Sequence, residues 1–208
     1  MTSIVLIGAG GHAASCIDVI EAEGRFRIAG LVGTESELHQ RVCGHEVMAT
    51  DAELKRLAGQ YRFALITVGH VKSAQTRIRM YEAALEAGFE LPVVVSPQAR
   101  VSAHASIGAG TIVMFGALVN ANARVGVNCI INSRALVEHG AQVGAHCHVA
   151  TGAILNGDLR VGEASFVGSG SVTKQGIAIG AGCVVGVGAV VRHDLADGVT
   201  YWGAGSNG

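Results

Sequence analysis

From residue 101 the chain places an aliphatic side chain at every sixth position: Val101, Ile107, Val113, Val119, Val125, Ile131, Val137, Val143, Val149, Leu155, Val161, Val167, Ile179, Val185 and Val191, with Thr173 alone breaking the series. Four residues after most of these stands a small residue, as at Ala105, Thr111, Ala117, Ala123, Cys129, Ala135, Ala141, Cys147, Ala153, Ser165, Ser171, Cys183 and Ala189. A period of six is neither the period of about 3.6 of an amphipathic helix nor the period of about 2 of a half-buried strand. It predicts a hexapeptide-repeat parallel β-helix, in which each short strand turns one aliphatic inward and a turn carries the chain to the next face. The pairs Ile107-Gly108, Val125-Gly126, Val143-Gly144, Val161-Gly162 and Ile179-Gly180 recur every eighteen residues, so three hexads make one coil. The expected solid is a triangular prism of about five coils, each held by its neighbours because none can bury its own apolar row. Thr173-Lys174-Gln175-Gly176, where the series breaks, is expected to be a corner or a small loop.

Before residue 100 the patterning is mixed. Residues 3–7 read as a buried parallel strand, 12–22 as a helix through Ala13, Cys16, Ile17 and Ile20, and 27–32 as a second strand. Gly8, Gly10 and Ala13 between them follow the G-x-G-x-x-A pattern, which lets a phosphate approach the helix N-terminus. The acidic residue that normally closes the second strand is missing, since Gly33 and Thr34 follow Val32 and Glu35 is the first carboxylate. Two readings stay open: a domain that binds a sugar nucleotide, or one that packs on the prism and shapes an acceptor pocket. Residues 51–60 read as a short helix, 63–68 as a third strand ending at Gly69-His70, 73–87 as a helix capped by Gly88, and 91–95 as a fourth strand. Ser96-Pro97 marks the crossing, which divides the chain into an α/β Rossmann-like domain (1–96) and an all-β prism (97–208).

Half of the 208 residues are hydrophobic, only 15% are charged, and the 30 glycines fall mostly at repeat turns. A net charge of −1 without a Lys/Arg run leaves no footprint for nucleic acid or for an anionic membrane. The first residues lack the charged and long apolar stretches of a signal peptide, so a soluble, cytoplasmic protein is expected. Of the five cysteines none is in CxxC spacing. Cys129, Cys147 and Cys183 share the inward small position and should form an internal packing column, while Cys16 and Cys43 stand unpaired.

Three stretches, Gly8-Ala9-Gly10-Gly11-His12, Ile131-Asn132-Ser133-Arg134-Ala135-Leu136-Val137-Glu138-His139-Gly140 and Val185-Gly186-Val187-Gly188-Ala189-Val190-Val191, resemble the NeuD/PglD group of left-handed β-helix sugar acetyltransferases. That group comprises sialic acid O-acetyltransferases and bacillosamine-type amino-sugar N-acetyltransferases. The resemblance implies the left hand of the coil and acetyl-CoA-dependent transfer to a sugar of a surface-glycan pathway. It also implies a homotrimer with three active sites between prisms, and outward Val127, Leu118 and Phe166 would leave apolar surface bare on a monomer.

The coil from Ile131 to His148 gathers Asn132, Arg134, Glu138, His139, His146 and His148. By resemblance His139 is the general base with Glu138 as its catalytic companion, His148, Gly157 and Val187 meet acetyl-CoA, and Gly10, Gly11, His12 and Asn132 line the acceptor site. Attack of an amine or hydroxyl on a thioester needs a proton removed as the bond forms, a task for an imidazole that titrates near neutrality, and no acyl-enzyme is required. His104 and His193 are expected to be solvated turn residues. No metal is expected, because alternation sends Cys147 of His146-Cys147-His148 inward and no third ligand is fixed by spacing.

Within the resembling group the N-acetylating members carry Asp or Glu directly after the catalytic histidine, where this chain has Gly140. Glu138-His139-Gly140, Leu155-Asn156-Gly157-Asp158 and Val161-Gly162-Glu163 resemble the sialic acid branch, whereas His12 resembles the amino-sugar branch. The balance falls to O-acetylation of a sialic acid-type sugar. The alternative is N-acetylation of a nucleotide-linked 4-amino sugar of the UDP-bacillosamine or perosamine type. Rivals of other classes are a non-catalytic sugar-nucleotide-binding scaffold and a metal-dependent hydratase. The last eight residues, from Tyr201 to Gly208, lack the Gly-x-Pro-Ala-Arg/Lys segment that meets the adenine end of CoA in the group, so the phosphate contacts are expected to be weaker or supplied elsewhere, for example by Lys174 or Arg192.

Overall fold

The computed structural model describes residues 1–203; residues 204–208, the tip of the atypical C-terminal segment, lie outside the described residues. Strands β1 (Thr2–Ile7), β2 (Phe26–Gly33), β3 (Arg41–Val42), β4 (His45–Thr50) and β5 (Phe63–Ile66) form one sheet in the order β3-β4-β2-β1-β5. All pairs are parallel except β3 with β4. Helix α1 (Gly11–Glu23) buries Ala13, Cys16, Ile17, Val19 and Ile20 and stops at Gly24, whose φ of 70° turns the chain left-handed. A 3₁₀ turn, Asp51–Glu53, leads into α2 (Leu54–Ala58), and α3 (Gln75–Ala87) ends at Gly88 as its sequence predicts.

Two departures from the sequence reading have local causes. The β3–β4 hairpin is absent from it, because the tight turn rests on left-handed Cys43 and Gly44 rather than on hydrophobic alternation. The stretch 91–95 is not a fourth strand of this sheet: Glu90 alone bridges Phe63, and β6 (Val94–Val95) pairs instead with Ile112–Val113. Pro92 between them has no N–H to give a ladder.

The remaining strands are two residues long and stack into three parallel sheets. The first, the seam sheet, runs from β6 through Ile112–Val113, Ile130–Ile131, His148–Val149, Phe166–Val167 and Val184–Val185 to Thr200–Tyr201. A second, apolar sheet presents Leu118, Leu136, Ile154, Val172 and Val190 outward, and a polar sheet presents Ser106, Arg124, Gln142, Arg160 and Ala178. The aliphatic series fills the interior together with Ala and Cys.

Strand pairing is in register at eighteen residues, for example Leu118↔Leu136↔Ile154. The recurring glycine has a steric reason: a Cβ on Gly126 would lie 2.6 Å from the Ala145 nitrogen of the next coil. The small polar position has an electrostatic one, since Thr111 Oγ1, Cys129 Sγ, Cys147 Sγ, Ser165 Oγ and Cys183 Sγ each donate to a carbonyl of the following coil at 2.8–3.1 Å. Lys174-Gln175-Gly176 form the expected corner, whereas Thr173 itself lies in a strand. It holds the inward place in its strand, buried, and its Oγ1 accepts from the Asn156 N–H at 3.0 Å.

The α/β domain covers the seam sheet. Outward Ile112 and Ile130 merge with Ile4, Leu6, Ile17 and Ile20 in one apolar cluster, which makes the seam part of the core. Phe166, expected outside, is 7% exposed under this cover, and Val127 packs on the α/β core. Of the three residues expected to face a partner copy, only Leu118 stands on an uncovered face. No helix among the described residues is long and apolar enough to cross a membrane.

Candidate active site

His139 sits in the turn between the apolar strand Leu136–Val137 and the polar strand Gln142–Val143, at the prism edge facing away from the seam sheet. Its side chain is 58% exposed. Glu138 Oε2 accepts three hydrogen bonds: from the His139 backbone N–H at 2.9 Å, His139 Nδ1–H at 3.0 Å and Asn120 Nδ2 at 3.0 Å. The His139 backbone N–H and then its ring hold the Glu138 carboxyl below the usual carboxylate range. With Nδ1–H bound to a carboxylate, the lone pair is on Nε2, the arrangement of a general base whose imidazolium a neighbouring anion stabilises.

The ring rests on Gly157, where a Cβ would lie 2.7 Å from Cε1 and Nε2. Gly157, expected at acetyl-CoA, is therefore placed directly against the imidazole. Gly140 has φ +69°, and Asp158 Oδ1 occupies the place where a Cβ on Gly140 would begin. A carboxylate thus stands beside this turn, supplied by the next coil, and a side chain at position 140 would have to displace it and adopt a left-handed backbone.

His148 lies nine residues on and in a different environment. It points from the seam sheet into the α/β domain, its Nδ1–H donates to the His70 carbonyl at 2.7 Å, and its Nε2 accepts from Asn132 Nδ2 at 3.1 Å. Asn132 is itself fixed, its Oδ1 accepting the Ser133 N–H at 2.7 Å. His12 and His70 pack around His148 with ring centroids 6.2 and 5.5 Å away, and Phe166 closes the group at 5.2 Å. Beneath them Arg77, wholly buried, donates to Asn128 O, Ile66 O and Val68 O at 2.8–2.9 Å with no carboxylate opposite.

Burial, with the Arg77 charge and the neighbouring imidazoles, pushes His12 and His70 down to about 3. Burial and Arg77 bring His148 to about 4, against the opposing pull of its bond to His70. The three imidazoles are neutral at physiological pH, and Arg77 carries the one charge beneath them. Among the described residues His12 Nε2 and Arg77 Nη2 are buried without a hydrogen-bond partner, as are the ring nitrogens of His70, although the Ser165 backbone lies close by. His70 and Arg77 escape the sequence reading. The readable sign was Arg77 on the same stripe of α3 as buried Met80, Tyr81 and Ala84.

In front of His12 opens a cleft of about 460 Å³ between the Gly8-to-His12 turn, Thr34, Glu37, Asp51, Thr67 and Arg79. Gly10 and Gly11 have open space where side chains would be, so a ligand can approach the backbone at the start of α1. The carboxylates at the cleft are Glu37 and Asp51, and Glu35 is not among its lining residues. Glu37 caps its own turn through Thr34 N–H and Oγ1, both at 2.8 Å, and those bonds lower its carboxyl. Val187 lies three coils above Ser133 on the edge between the seam and apolar sheets, in a separate groove with Phe166 and Trp202. His146 bonds Asn128 Nδ2 and packs on Tyr81, while Cys147 faces the prism interior. Among the described residues no three His, Cys, Asp or Glu are grouped to hold a metal. His104 and His193 are exposed turn residues, as their positions suggest.

A family model described as the PglD N-terminal domain matches residues 3–84. The structure of PerB from Caulobacter crescentus, in complex with CoA and GDP-perosamine, is 33% identical, covering 96% of this chain and 93% of that one with a TM-score of 0.89. A variant of perosamine N-acetyltransferase from Caulobacter crescentus, also with CoA and GDP-perosamine, is 33% identical over the same shares with a TM-score of 0.90. The acetyltransferase domain of PglB from Neisseria gonorrhoeae, in complex with acetyl coenzyme A, is 33% identical over 95% and 94% of the two chains with a TM-score of 0.87. No curated protein matches the chain.

Proposed function

The chain belongs to the NeuD/PglD family of left-handed β-helix sugar acetyltransferases, which use acetyl-CoA, and we propose that it acetylates the amino group of a nucleotide-linked amino sugar. Relatives of known ligand support an amine: one binds GDP-perosamine and another is named as a perosamine N-acetyltransferase. The lean toward a hydroxyl acceptor rested on the missing carboxylate at position 140. The observation that carries the amine reading is the 33% identity, over 96% of this chain, to a structure that binds GDP-perosamine, and the Glu138–His139 hydrogen bond of 3.0 Å suits either acceptor.

In this reading the neutral amine attacks the thioester carbonyl and forms the C–N bond. Its proton passes to His139 Nε2, and Glu138 stabilises the imidazolium. Collapse of the tetrahedral intermediate breaks the C–S bond, and the CoA sulfur leaves with the proton from Nε2. Atoms and charge balance without an acyl-enzyme. The cleft around Gly10, Gly11 and His12 takes the nucleotide-linked acceptor, with Asn132 and His148 as neutral hydrogen-bonding groups at its inner end, and Val187 marks the acetyl-CoA groove.

His139 stands at the prism edge opposite the face that carries this cleft, so one copy does not bring its base to its own acceptor. The uncovered row Leu118, Leu136, Ile154, Val172 and Val190 runs beside His139 and suits burial against a second prism, which supports a homotrimer whose sites combine two chains.

The test is acetyl transfer from acetyl-CoA to a panel of UDP- and GDP-linked 4-amino sugars and to sialic acid. We expect kcat/KM for the best amine to exceed that for the best hydroxyl by more than tenfold, about 1.4 kcal/mol in transition-state stabilisation. A preference for sialic acid would restore O-acetylation.

A further inference from the structure

Two carboxylates flank the turn that carries His139, and they are in opposite states. Glu138 is engaged on the Nδ1 side, where its Oε2 already accepts three hydrogen bonds. Asp158 comes from the next coil. Its backbone N–H donates to the His139 carbonyl at 3.0 Å, which staples the two turns together, and its Oδ1 stands where a Cβ on Gly140 would begin. Gly157, one residue earlier, lies against Cε1 and Nε2 of the imidazole, so the turn that bears Asp158 is the one facing the Nε2 edge. Among the described residues the exposed Asp158 carboxylate has no hydrogen-bond or ion-pair partner. Arg160 and Asp194 share a cleft of about 360 Å³ with it, but Arg160 forms no ion pair there and Asp194 accepts the Ala178 N–H at 2.8 Å instead.

A free carboxylate beside the base matters differently to the two kinds of acceptor. An amine enters as an ammonium and becomes positive again when its C–N bond forms. A hydroxyl arrives neutral and loses its single proton as the bond forms. A fixed anion next to the attacking atom lowers the energy of the two cationic states and does nothing comparable for the hydroxyl.

We propose that Asp158 selects an amine over a hydroxyl by holding the attacking nitrogen between its own carboxylate and His139 Nε2. The proposal rests on the acetyl-transfer reaction set out above and names the residue that decides its acceptor. The bound ammonium releases one proton to solvent. Attack of the neutral amine on the thioester carbonyl then forms the C–N bond and leaves the nitrogen positive beside Asp158 until His139 Nε2 takes its second proton. The C–S bond breaks, and the sulfur leaves with that proton. Asp158 contributes charge and no proton, while Glu138 orients the ring for either acceptor.

The test is the ratio of kcat/KM for the best 4-amino sugar nucleotide to that for its 4-hydroxy counterpart. Transfer to water, read as thiol release without a sugar, supplies a second neutral acceptor. Asp158→Asn keeps the backbone bond to His139 and the left-handed turn, with φ 57°, that Asn also tolerates. It should lower kcat/KM for the amine by about tenfold to a hundredfold and leave transfer to the neutral acceptors within about threefold of wild type. Asp158→Gly should lose the amine in the same way, and adding Gly140→Asp, which returns a carboxylate to the same place from the other coil, should recover part of the loss for the amine alone. Equal losses for amine and neutral acceptors in Asp158→Asn would make Asp158 a structural part of the turn and overturn the assignment. A wild-type preference for the hydroxyl would remove the amine reading, and a ratio that Asp158→Asn still shifts toward the neutral acceptors would nonetheless uphold Asp158.

Discussion

His139 and His148 belong to one coil, and half a turn of the prism gives them opposite chemistry. Each donates Nδ1–H, but to different acceptors: His139 to the Glu138 carboxylate, His148 to the neutral His70 carbonyl. The first ring is exposed at an edge with an anion behind it, while the second is buried above an uncompensated guanidinium and pushed down to about 4. Desolvation and a nearby cation oppose protonation of the buried ring. In the proposed mechanism one scaffold therefore provides a base and a neutral hydrogen-bonding group from the same residue type, by choice of edge or face.

The comparison breaks most visibly at the base. His139→Ala should reduce kcat by about 10² to 10⁴ while KM for acetyl-CoA stays within a few-fold, the range for loss of a positioned proton acceptor. His148→Asn should act mainly on KM, because a ring that stays neutral has no proton to carry. Steady-state kinetics with both substrates varied will separate them. If the two variants lose kcat equally, the division of labour is wrong.

A smaller effect is expected from the group behind the base. Glu138→Gln retains a carbonyl oxygen to accept from Asn120 and the His139 backbone but removes the charge that stabilises the imidazolium. We expect kcat to fall by about tenfold to a hundredfold with both KM values unchanged, between the intact enzyme and His139→Ala. Wild-type kcat in Glu138→Gln would leave the carboxylate a turn-forming role only.

Much of this contrast was readable in the sequence, but unevenly. The prism was legible because its hexads repeat in register, and His139 because a short motif surrounds it. The polarity of the two histidines was not, since its causes come from elsewhere in the chain. Arg77 and His70 reach the seam from α3 and the loop before it, and Asp158 reaches Gly140 from the next coil. Phe166 read as exposed because the repeat tells which residues point outward but not which face another domain covers. Glu138 was legible as the companion of His139, but not that the turn folds its Oε2 back onto the ring.

The buried half of the comparison has a consequence for stability. His12, His70 and His148 sit at about 3, 3 and 4 in the folded chain against 6.5 for a free imidazole. Between those values and about pH 6.5 the unfolded chain binds more protons than the folded one, so stability rises with pH across that window. The contribution is whole above about pH 6.5 and is lost progressively as the pH falls toward 4, at most about 1.4 kcal/mol per pH unit for each histidine. Glu37 and Glu138, lowered from 4.5, lose theirs only at more acidic pH and do not mimic the effect. Urea unfolding at fixed protein concentration and pH 7, 6 and 5 measures it. His70→Asn, which removes a titrating ring whose nitrogens make no hydrogen bond, should lessen the slope between pH 6 and 5 by about one proton whatever it does to stability at pH 7. Parallel curves for the variant and the wild type would mean that His70 takes up its proton in the folded chain as readily as in the unfolded one, and that the seam tolerates the charge.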